Sequence, residues 1–387
     1  MFRNSLQKRL RMEVLEQKIA LAADLSVAVV NGDLIINGDA NNNWFTIEPA
    51  DDFENAQYRI INRGSFFDTI NGEQFTTYFV SGVTRDVRVN LGDGDDIFRV
   101  TGFATNDDSN DLTFPRDLIV SGGEGNDQIY SGIFESNPLP FQGPVDVVRN
   151  LTITGGAGDD LFYSTALDVG NNFTFSDNQG NTEFFTDPGV FYSIGRSSSV
   201  GGNLSVTTGA GTDFIGIEDY VVSGNISINV GGGDDSAMVR GATVDGTITL
   251  NLGGGINEGI VEFADAGRVG VTGTGENIVR VTGVTTNMVA IATANLNDSI
   301  IMFETTADVT IIATSGGADY VDIEDCVFDL LVVQLGSGDD VLELETVDAA
   351  IALLSGGGGT DTLIDHENND IDWMLDLGFE VFEDGSV

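Results

Sequence analysis

Glycine-rich corners that end in an acidic residue recur along this chain, as in "LGSGDDVL" at 335–342. We take the last Asp or Asn of each corner as its marker. If the corners stack about 4.8 Å apart, successive carboxylates repel one another by roughly 0.9 kcal/mol in water and about 3.5 kcal/mol at an effective dielectric of 20. Such side chains must extend into solvent or share a cation. The candidate residues are Asp96, Asp127, Asp160, Asp213, Asp235, Asp319, Asp340 and Asp361.

The spacing of the markers identifies an internal repeat. From residue 213 onward, successive markers are 22, 22, 20, 21, 21, 21 and 21 residues apart. Apolar residues alternate on both sides of each corner, as at Ile226 and Ile228 before Asp235 and at Val321 and Ile323 after Asp319. This alternation is typical of short strands with one buried face, and a third apolar stretch completes each unit. The sequence therefore predicts an all-β fold, a right-handed parallel β-helix (solenoid) of about 20–22 residues per coil in a single elongated domain.

The repeat is irregular upstream, where the gaps between Asn43, Asp96, Asp127 and Asp160 vary and Thr182 marks a poor copy. We predict an irregular β-helix half with insertions over residues 23–199 and regular coils over 200–365. Residues 366–387 are predicted to form a C-terminal cap because an open last coil exposes an edge and the core. The apolar residues expected to cover that end are Trp373, Leu375, Leu377, Phe379, Val381 and Phe382.

Three corners carry a further resemblance. The stretches "GGEGNDQIY" (122–130), "GGAGDDLFY" (155–163) and "GGGGTDTLI" (356–364) resemble the calcium-binding nonapeptide G-G-x-G-x-D-x-U-x of RTX (hemolysin-type) repeat proteins. The resemblance implies that loop carbonyls and the Asp carboxylate bind Ca²⁺ together with the neighbouring loop. Ca²⁺ takes 6–8 oxygens at about 2.3–2.6 Å, which one loop cannot supply alone. Calcium is therefore the expected cofactor at the eight candidate aspartates.

The chain also departs from that family. RTX repeats follow one another nine residues after nine, whereas this chain has one loop per coil. The corners at Asn257, Asn277 and Asp298 are degenerate copies, so we expect the middle of the solenoid to bind nothing. The alternative is that Gly, Asp and Asn serve only as corner residues, through positive φ and bonds from side chain to backbone. The sequence leaves both alternatives open.

The first residues differ in composition from everything that follows. The stretch "RLRMEVLEQKIALAADL", with its Leu15–Glu16 pair, resembles the LEPR-XLL-like (planctomycete-type) N-terminal export segment of large secreted bacterial proteins. Gln17 replaces the usual Pro of that motif. Residues 1–22 are thus expected to be an export segment, and the protein to be extracellular or at the cell surface. The alternative is an N-terminal cap helix, since apolar residues recur there at helical spacing.

Charge excludes two classes of partner. The formal net charge is −45, and residues 281–387 contain no Lys or Arg. Nucleic acids and anionic membrane surfaces are therefore unsuitable partners, whereas cations are suitable. No run of about 18 apolar residues indicates a membrane span. The single cysteine, Cys326, rules out an intrachain disulfide and is expected to be a core or corner residue.

Enzyme chemistry has weak support in the sequence. Parallel β-helices include polysaccharide lyases and hydrolases, but lyases need a basic residue beside the sugar and no Lys follows Lys18. A hydrolase needs two carboxylates, and the best acidic patch comprises Asp322, Glu324, Glu343 and Glu345. We expect this patch to lack an aromatic platform and any group that separates its pKa values, with His366 a simple surface residue.

These features together predict a secreted, non-enzymatic β-solenoid with a structural or adhesive role at the cell surface or in the extracellular matrix. Its expected partners are cations and extracellular polysaccharide or surface proteins. The alternative is a carbohydrate-active β-helix enzyme, either a polysaccharide lyase or a hydrolase.

Overall fold

The computed structural model describes residues 24–50, 55–65, 68–102, 111–132, 143–186, 198–366 and 368–383. The predicted segment 1–22 lies outside these residues. The described chain is built from strands joined by turns and bends, and none of it forms an α-helix. It accordingly contains no helix long and apolar enough to cross a membrane.

The strands are short and numerous in the first half. In chain order they are β1 (Asp24–Val30), β2 (Asp33–Asn37), β3 (Trp44–Pro49), β4 (Tyr58–Asn62), β5 (Thr69–Ile70), β6 (Thr77–Val80), β7 (Val87–Asp93), β8 (Ile97–Val100), β9 (Leu112–Phe114), β10 (Leu118–Glu124), β11 (Gln128–Ser131), β12 (Val145–Val147), β13 (Leu151–Ala157), β14 (Asp160–Ser164), β15 (Leu167–Val169), β16 (Phe173–Ser176), β17 (Thr182–Thr186) and β18 (Ser199–Val200).

The second half contains longer strands. They are β19 (Leu204–Thr207), β20 (Phe214–Glu218), β21 (Val221–Val222), β22 (Ile226–Asn229), β23 (Ser236–Arg240), β24 (Thr243–Asn251), β25 (Ile256–Glu262), β26 (Asp265–Gly273), β27 (Glu276–Thr282), β28 (Thr285–Thr293), β29 (Ser299–Phe303), β30 (Thr306–Ala313), β31 (Tyr320–Glu324), β32 (Val327–Ser337), β33 (Val341–Glu345), β34 (Asp348–Gly358), β35 (Thr362–Asp365), β36 (Asp370–Leu377) and β37 (Val381–Glu383).

Parallel pairing between successive coils organises these strands into one sheet of 21 strands and another of 16. Strand β31 pairs with β33, for example, with Val321 opposite Leu342 and Ile323 opposite Leu344. Each of these pairs is separated by one predicted repeat of 21 residues, so the repeat is the coil. The prediction of an all-β parallel β-helix is confirmed: the coils stack as a β-solenoid.

The two halves build their coils differently. Upstream, a coil contains three strands, as in β13, β14 and β15. From β24 onward the third strand merges with the first strand of the next coil, because β24 pairs with both β21 and β22. A corner column accepts backbone N–H groups between coils, and it ends where Asn225 accepts from Thr247. The column consists of Asp117, Asn150, Asn172, Asn203 and Asn225, of which the last three are exposed. Without these turn-forming residues the strand continues through the corner.

The core is a column of alternate side chains that all point inward. Upstream it is rich in phenylalanine: the rings of Phe162, Phe173, Phe175 and Phe184 lie with their centroids 5.0–6.0 Å apart. Downstream it consists mainly of Val, Ile, Leu and Ala, as at the buried Val321 and Leu342. Every second residue of a strand is thereby committed to the interior.

The ends of the solenoid also differ. At the N-terminal end, β1 lies antiparallel to β2, and β4 lies antiparallel to both β3 and β6. At the other end, the two described strands of the predicted cap form a further coil, since β36 pairs in parallel with β34 and β37 with β35. This coil covers the preceding one, but its own Trp373, Leu377 and Phe382 remain 52%, 57% and 61% exposed.

Candidate functional site: a column of buried carboxylates

The structure aligns the predicted aspartates in one column. All eight lie at the end of a glycine corner, directly before or at the start of a strand of the 16-stranded sheet, and all are buried, with exposures of 0–4%. The same column continues through buried polar residues at the other markers: Asn43, Thr182, Asn257, Asn277 and Asp298. The corners that we predicted to be degenerate therefore keep the same buried position.

Each carboxylate in the column binds the coil before it. The backbone N–H of Asp96 donates to Asp127 Oδ1 at 3.0 Å, and that of Asp127 donates to Asp160 Oδ1 at 2.8 Å. The same bond joins Asp319 to Asp340 at 2.8 Å and Asp340 to Asp361 at 3.1 Å. Amide oxygens of Asn substitute without loss of the acceptor, as where Asp235 N donates to Asn257 Oδ1 at 3.1 Å. Each marker thus joins its coil to the preceding one, and the hydrogen bond is charge-assisted when the marker carboxylate is ionised.

The second carboxylate oxygen is different. Oδ2 is buried without a hydrogen-bond partner in Asp127, Asp213, Asp235, Asp298, Asp340 and Asp361. An unpaired charged oxygen in such a place is costly, so a proton or a cation must compensate it. At Asp160 the carboxyl group also contacts Asp177, which lies in the next coil and accepts a hydrogen bond from Thr182 Oγ1 at 2.9 Å.

The three glycines of the motif have two roles. A side chain on the first one, Gly122, would overlap Asp127 Oδ2, so this glycine leaves room for the carboxylate. The second and third, Gly123 and Gly125, have φ of 129° and 122°, and a Cβ there would overlap the carbonyl oxygens of Gly92 and Gly94 in the preceding coil. Positive φ and close backbone approach therefore both require glycine at these positions.

Burial raises the pKa above its ordinary value in seven of the column carboxyls, namely Asp96, Asp127, Asp160, Asp235, Asp319, Asp340 and Asp361. The pKa of Asp127 rises to about 8, and those of Asp96 and Asp160 to about 7, mainly because burial removes water from the charged form. For Asp235 and Asp340 the same cause raises the pKa to about 6. The upstream members thus hold protons near neutral pH, in the absence of a bound cation.

A second column of polar side chains, which sequence reasoning missed, lies one residue before the markers and is exposed. Its bonds run in the opposite direction along the solenoid, because each side chain accepts a backbone N–H from the following coil. Asp95 Oδ1 accepts from Asn126 N at 2.9 Å, and Asn126 Oδ1 accepts from Asp159 N at 2.7 Å. The Asp or Asn that recurs one residue before the marker could have indicated this second column from the sequence. The pair of acids in "GDD" therefore binds one coil on each side.

The donor types in the column suit calcium, but its side chains alone cannot form a calcium site. Across the described residues, no group of three or more His, Cys, Asp or Glu side chains could hold a metal ion. The oxygens that lack a partner are of the hard type that Ca²⁺ takes. Since each coil supplies one buried carboxylate, corner carbonyls would have to supply the remaining oxygens.

The predicted acidic patch has more chemistry than the sequence indicated. Strands β31 and β33 place Asp322 beside Glu343 and Glu324 beside Glu345. The hydroxyl of Tyr320 donates to Glu343 Oε2 at 2.7 Å, and His366 Nε2 lies 3.0 Å from Glu343 Oε1. The patch therefore has one aromatic neighbour, which contacts it through its hydroxyl and not as a platform, and the interpretation of His366 as a simple surface residue was wrong.

These contacts separate the pKa values of the patch, so the expectation that no group would do so was wrong. Hydrogen bonds from His366 and Tyr320 lower the pKa of Glu343. Partial burial and the neighbouring carboxylates, Glu343 first among them, raise the pKa of Asp322. The bond to Glu343 raises the pKa of His366. Two adjacent carboxyls with opposite shifts are the arrangement that acid–base chemistry uses.

The single cysteine carries no such chemistry. Cys326 is fully buried, as predicted for a core or corner residue, and its thiol donates to the carbonyl of Glu324 at 3.1 Å. Burial raises its pKa to about 12, so the reactive thiolate does not form at neutral pH.

Comparison with known proteins adds no family to this description: no protein-family model, no curated protein and no solved structure matches the chain.

Proposed function

We propose that the protein is a secreted, non-enzymatic solenoid with a structural or adhesive role at the cell surface or in the extracellular matrix. The observation that supports this proposal is that its acidic residues form hydrogen bonds between successive coils. They form columns that bind coil to coil along the axis, as from Asp96 to Asp160 and from Asp298 to Asp361. Such an arrangement favours an extended, stable body over a reactive cleft.

The partners proposed for this body follow from its charge. With a net charge of −45, it attracts cations and repels nucleic acid and anionic membranes. Extracellular polysaccharide and surface proteins are the proposed adhesive partners. The test immobilises the purified protein and measures retention of polysaccharides and of cell-envelope fractions, together with the release of new sugar ends. We expect retention without turnover, and turnover of any retained polysaccharide would contradict the non-enzymatic role.

Export is the second element of the proposal. If residues 1–22 are a removable segment, the mature chain begins near Ala23, because Ala20–Leu21–Ala22 offers a cleavage site with small residues on both sides. Mass measurement of protein recovered from the medium of its native host tests this. Exported protein that retains Met1 would contradict removal.

Calcium binding between neighbouring corners is the third element. The best pair of corners is at Asp340 and Asp361, where both Oδ2 atoms are buried without a partner. The same donors occur in successive coils there, and bound Ca²⁺ would supply the positive charge that the buried carboxylates need. Saturation at a hundred times the dissociation constant stabilises the fold by about 2.7 kcal/mol per independent site.

The calcium test compares two variants that each remove one negative charge. Asp340→Asn keeps an acceptor for Asp319 N–H but removes the buried charge, whereas Asp339→Asn changes an exposed side chain that accepts from Thr360 N. The wild type and Asp339→Asn should gain melting temperature with calcium, and Asp340→Asn should lose most of that gain. Wild-type melting that responds neither to calcium nor to chelator would contradict the site and leave the corners as turns.

A carbohydrate-active enzyme is the second candidate, and the opposite pKa shifts of Asp322 and Glu343 favour it. In a hydrolase, Asp322 would act as the general acid and Glu343 as the base or nucleophile. Hydrolysis of any acidic or neutral polysaccharide that Glu343→Gln abolishes, while Glu304→Gln on an exposed turn leaves it unchanged, would establish this function over the scaffold.

A further inference from the structure

The outer face of the 21-stranded sheet changes character along the solenoid. One outward column in strands β13, β16, β19, β22 and β24 consists of Thr152, Thr174, Ser205, Ser227 and Thr249. The column continues through Gly270 in β26. In β28, β30, β32, β34 and β36 it then consists of Ala290, Ile311, Val332, Leu353 and Leu375, respectively. Hydroxyl-bearing side chains thus give way to apolar ones at a position that the fold does not bury.

A neighbouring outward column on the same strands is also apolar. It consists of Met288, Val309, Leu330, Ile351 and Trp373. We call these two columns on β28–β36 the outer stripe. Its side chains are partly exposed, and the exposure reaches 40% at Ile351 and 52% at Trp373.

The stripe makes these strands apolar on both faces, since the inward positions are mostly apolar as well. In β32, Leu331 and Val333 point into the core while Leu330 and Val332 point outward. Parallel strands with near-continuous apolar runs are typical of sheets covered on both faces. A contiguous apolar patch rimmed by polar groups marks an interaction surface.

We propose that a second copy of this chain covers the outer stripe, with the two stripes packed face to face about a two-fold axis. Two such sheets would pack about 10 Å apart, as in sandwiches. The smallest side chain of the stripe, Ala290, lies at one end and the largest, Trp373, at the other. An antiparallel arrangement places the bulky end of each copy over the small end of the other, so the stripe complements itself.

The size of the stripe sets the strength of the dimer. Five strands about 4.8 Å apart and about five residues of each strand give a face of roughly 400 Å² per copy. Stable interfaces bury about 1,200–2,000 Å² in total, so the dimer is a weak and reversible one. This inference does not depend on the proposed role in structure or adhesion.

Charge around the stripe makes the association dependent on salt. Exposed Asp308, Asp329 and Asp372 lie along one side of it, and the chain carries no Lys or Arg from residue 281 onward. Two copies that approach through this face repel one another at low ionic strength. Screening shortens the range of that repulsion to about 8 Å at physiological ionic strength and about 3 Å at 1 M. Added salt therefore strengthens the dimer.

The test is sedimentation velocity of the full chain over a wide range of concentration, in low and in high salt. We expect a monomer–dimer equilibrium that salt shifts toward the dimer. The variant Ile311→Thr/Val332→Thr/Leu353→Thr gives the stripe the side chains of the upstream column and should remain a monomer. The matched control, Thr152→Ser/Thr174→Ser/Thr249→Ser, should dimerise like the wild type. A wild type that stays monomeric at every concentration and salt would overturn the proposal.

A second measurement tests whether the dimer forms through the outer stripe or through another surface. It requires only a single substitution in each variant. Val332 is outward and central in the stripe, so Val332→Cys lies near the two-fold axis and should form a disulfide between copies under mild oxidation. Thr174→Cys, in the upstream column, should not. Native Cys326 is buried and does not compete. Equal cross-linking of both variants, or dimers that persist in the triple threonine variant, would place the interface elsewhere.

Discussion

The upstream coils, from β13 to β24, and the downstream coils, from β28 to β36, share one register and differ in what surrounds it. Upstream, the core includes the cluster of Phe162, Phe173, Phe175 and Phe184, and Thr or Ser occupies the outer column. Downstream, the core has smaller aliphatic side chains and the outer column is apolar. The inner face is apolar in both regions because the coil cannot close without it. The outer face is free to vary because the coil closes without it.

The buried carboxylate column also differs between regions. Upstream, Asp96, Asp127 and Asp160 follow one another, and burial raises each pKa to about 7 or 8. In the middle, Asn257 and Asn277 hold the same buried position with no charge to neutralise. Further downstream the pKa of Asp340 rises only to about 6. The free-energy cost of ionising the buried carboxyls is therefore greatest upstream, and it is absent at Asn257 and Asn277 in the middle.

The largest expected effect is a loss of stability as pH rises. The raised pKa values mean that the folded state binds more protons than the unfolded state between about pH 4 and pH 8. The stability these carboxyls contribute is complete below their unfolded pKa and is lost as pH rises through the folded values. Within that window, each carboxyl that must release its proton costs about 1.4 kcal/mol per pH unit.

Hydrogen exchange, corrected for its intrinsic pH dependence, shows where this loss occurs. Without calcium, raising the pH from 5 to 8 should reduce protection in β11, which follows Asp127, and in β14, which begins at Asp160. Protection in β25 and β27, at Asn257 and Asn277, should change least, and these coils are the internal control. Equal loss in all four strands would remove the difference between regions.

Truncation of the aromatic core should produce the next largest effect. Phe184→Ala removes a ring that contacts Phe162, Phe173 and Phe175, and should lower the free energy of unfolding by about 3–5 kcal/mol. At the equivalent inward position downstream, Ile300→Val removes one carbon and should cost about 0.5–1.5 kcal/mol. Chemical denaturation checks both variants. Similar costs would mean that the phenylalanine core is not packed as described.

The smallest effect concerns the two faces of one downstream strand. Val333→Thr places a hydroxyl in the core and should cost about 1–3 kcal/mol. Val332→Thr changes an adjacent outward residue and should alter stability by less than about 0.5 kcal/mol in the monomer. Denaturation at low salt and low concentration measures both. A large cost at Val332 in the monomer would show that the outer stripe stabilises the fold itself.

Much of the fold was predictable because the spacing of the marker residues equals the length of one coil. The 21-residue interval between Asp319, Asp340 and Asp361 fixes which residues pair, and alternation around each corner fixes which side chains are buried. The merging of strands from β24 onward was harder to predict. It depends on the loss of an Asn column whose bonds join residues in different coils.

The candidate site was predicted in position but not in chemistry. Spacing identified the eight aspartates, yet their burial and the direction of each inter-coil bond depend on which way a corner turns its side chain. The bond between His366 and Glu343 was not recognised because 23 residues separate them, one coil and a short offset. The outer stripe was visible in runs such as "LLVV" at 330–333, where both alternating sets are apolar.

The upstream buried carboxylates Asp96, Asp127 and Asp160 are neutralised by protons near neutral pH when no cation is bound. Infrared spectroscopy in chelator at pH 6 tests this most directly, since exposed Asp and Glu are ionised there while Asp127, with its pKa near 8, is not. We expect a carboxylic-acid carbonyl band that weakens in Asp127→Asn and is unchanged in the exposed control Asp159→Asn. A spectrum with no carboxylic-acid band at that pH would contradict it.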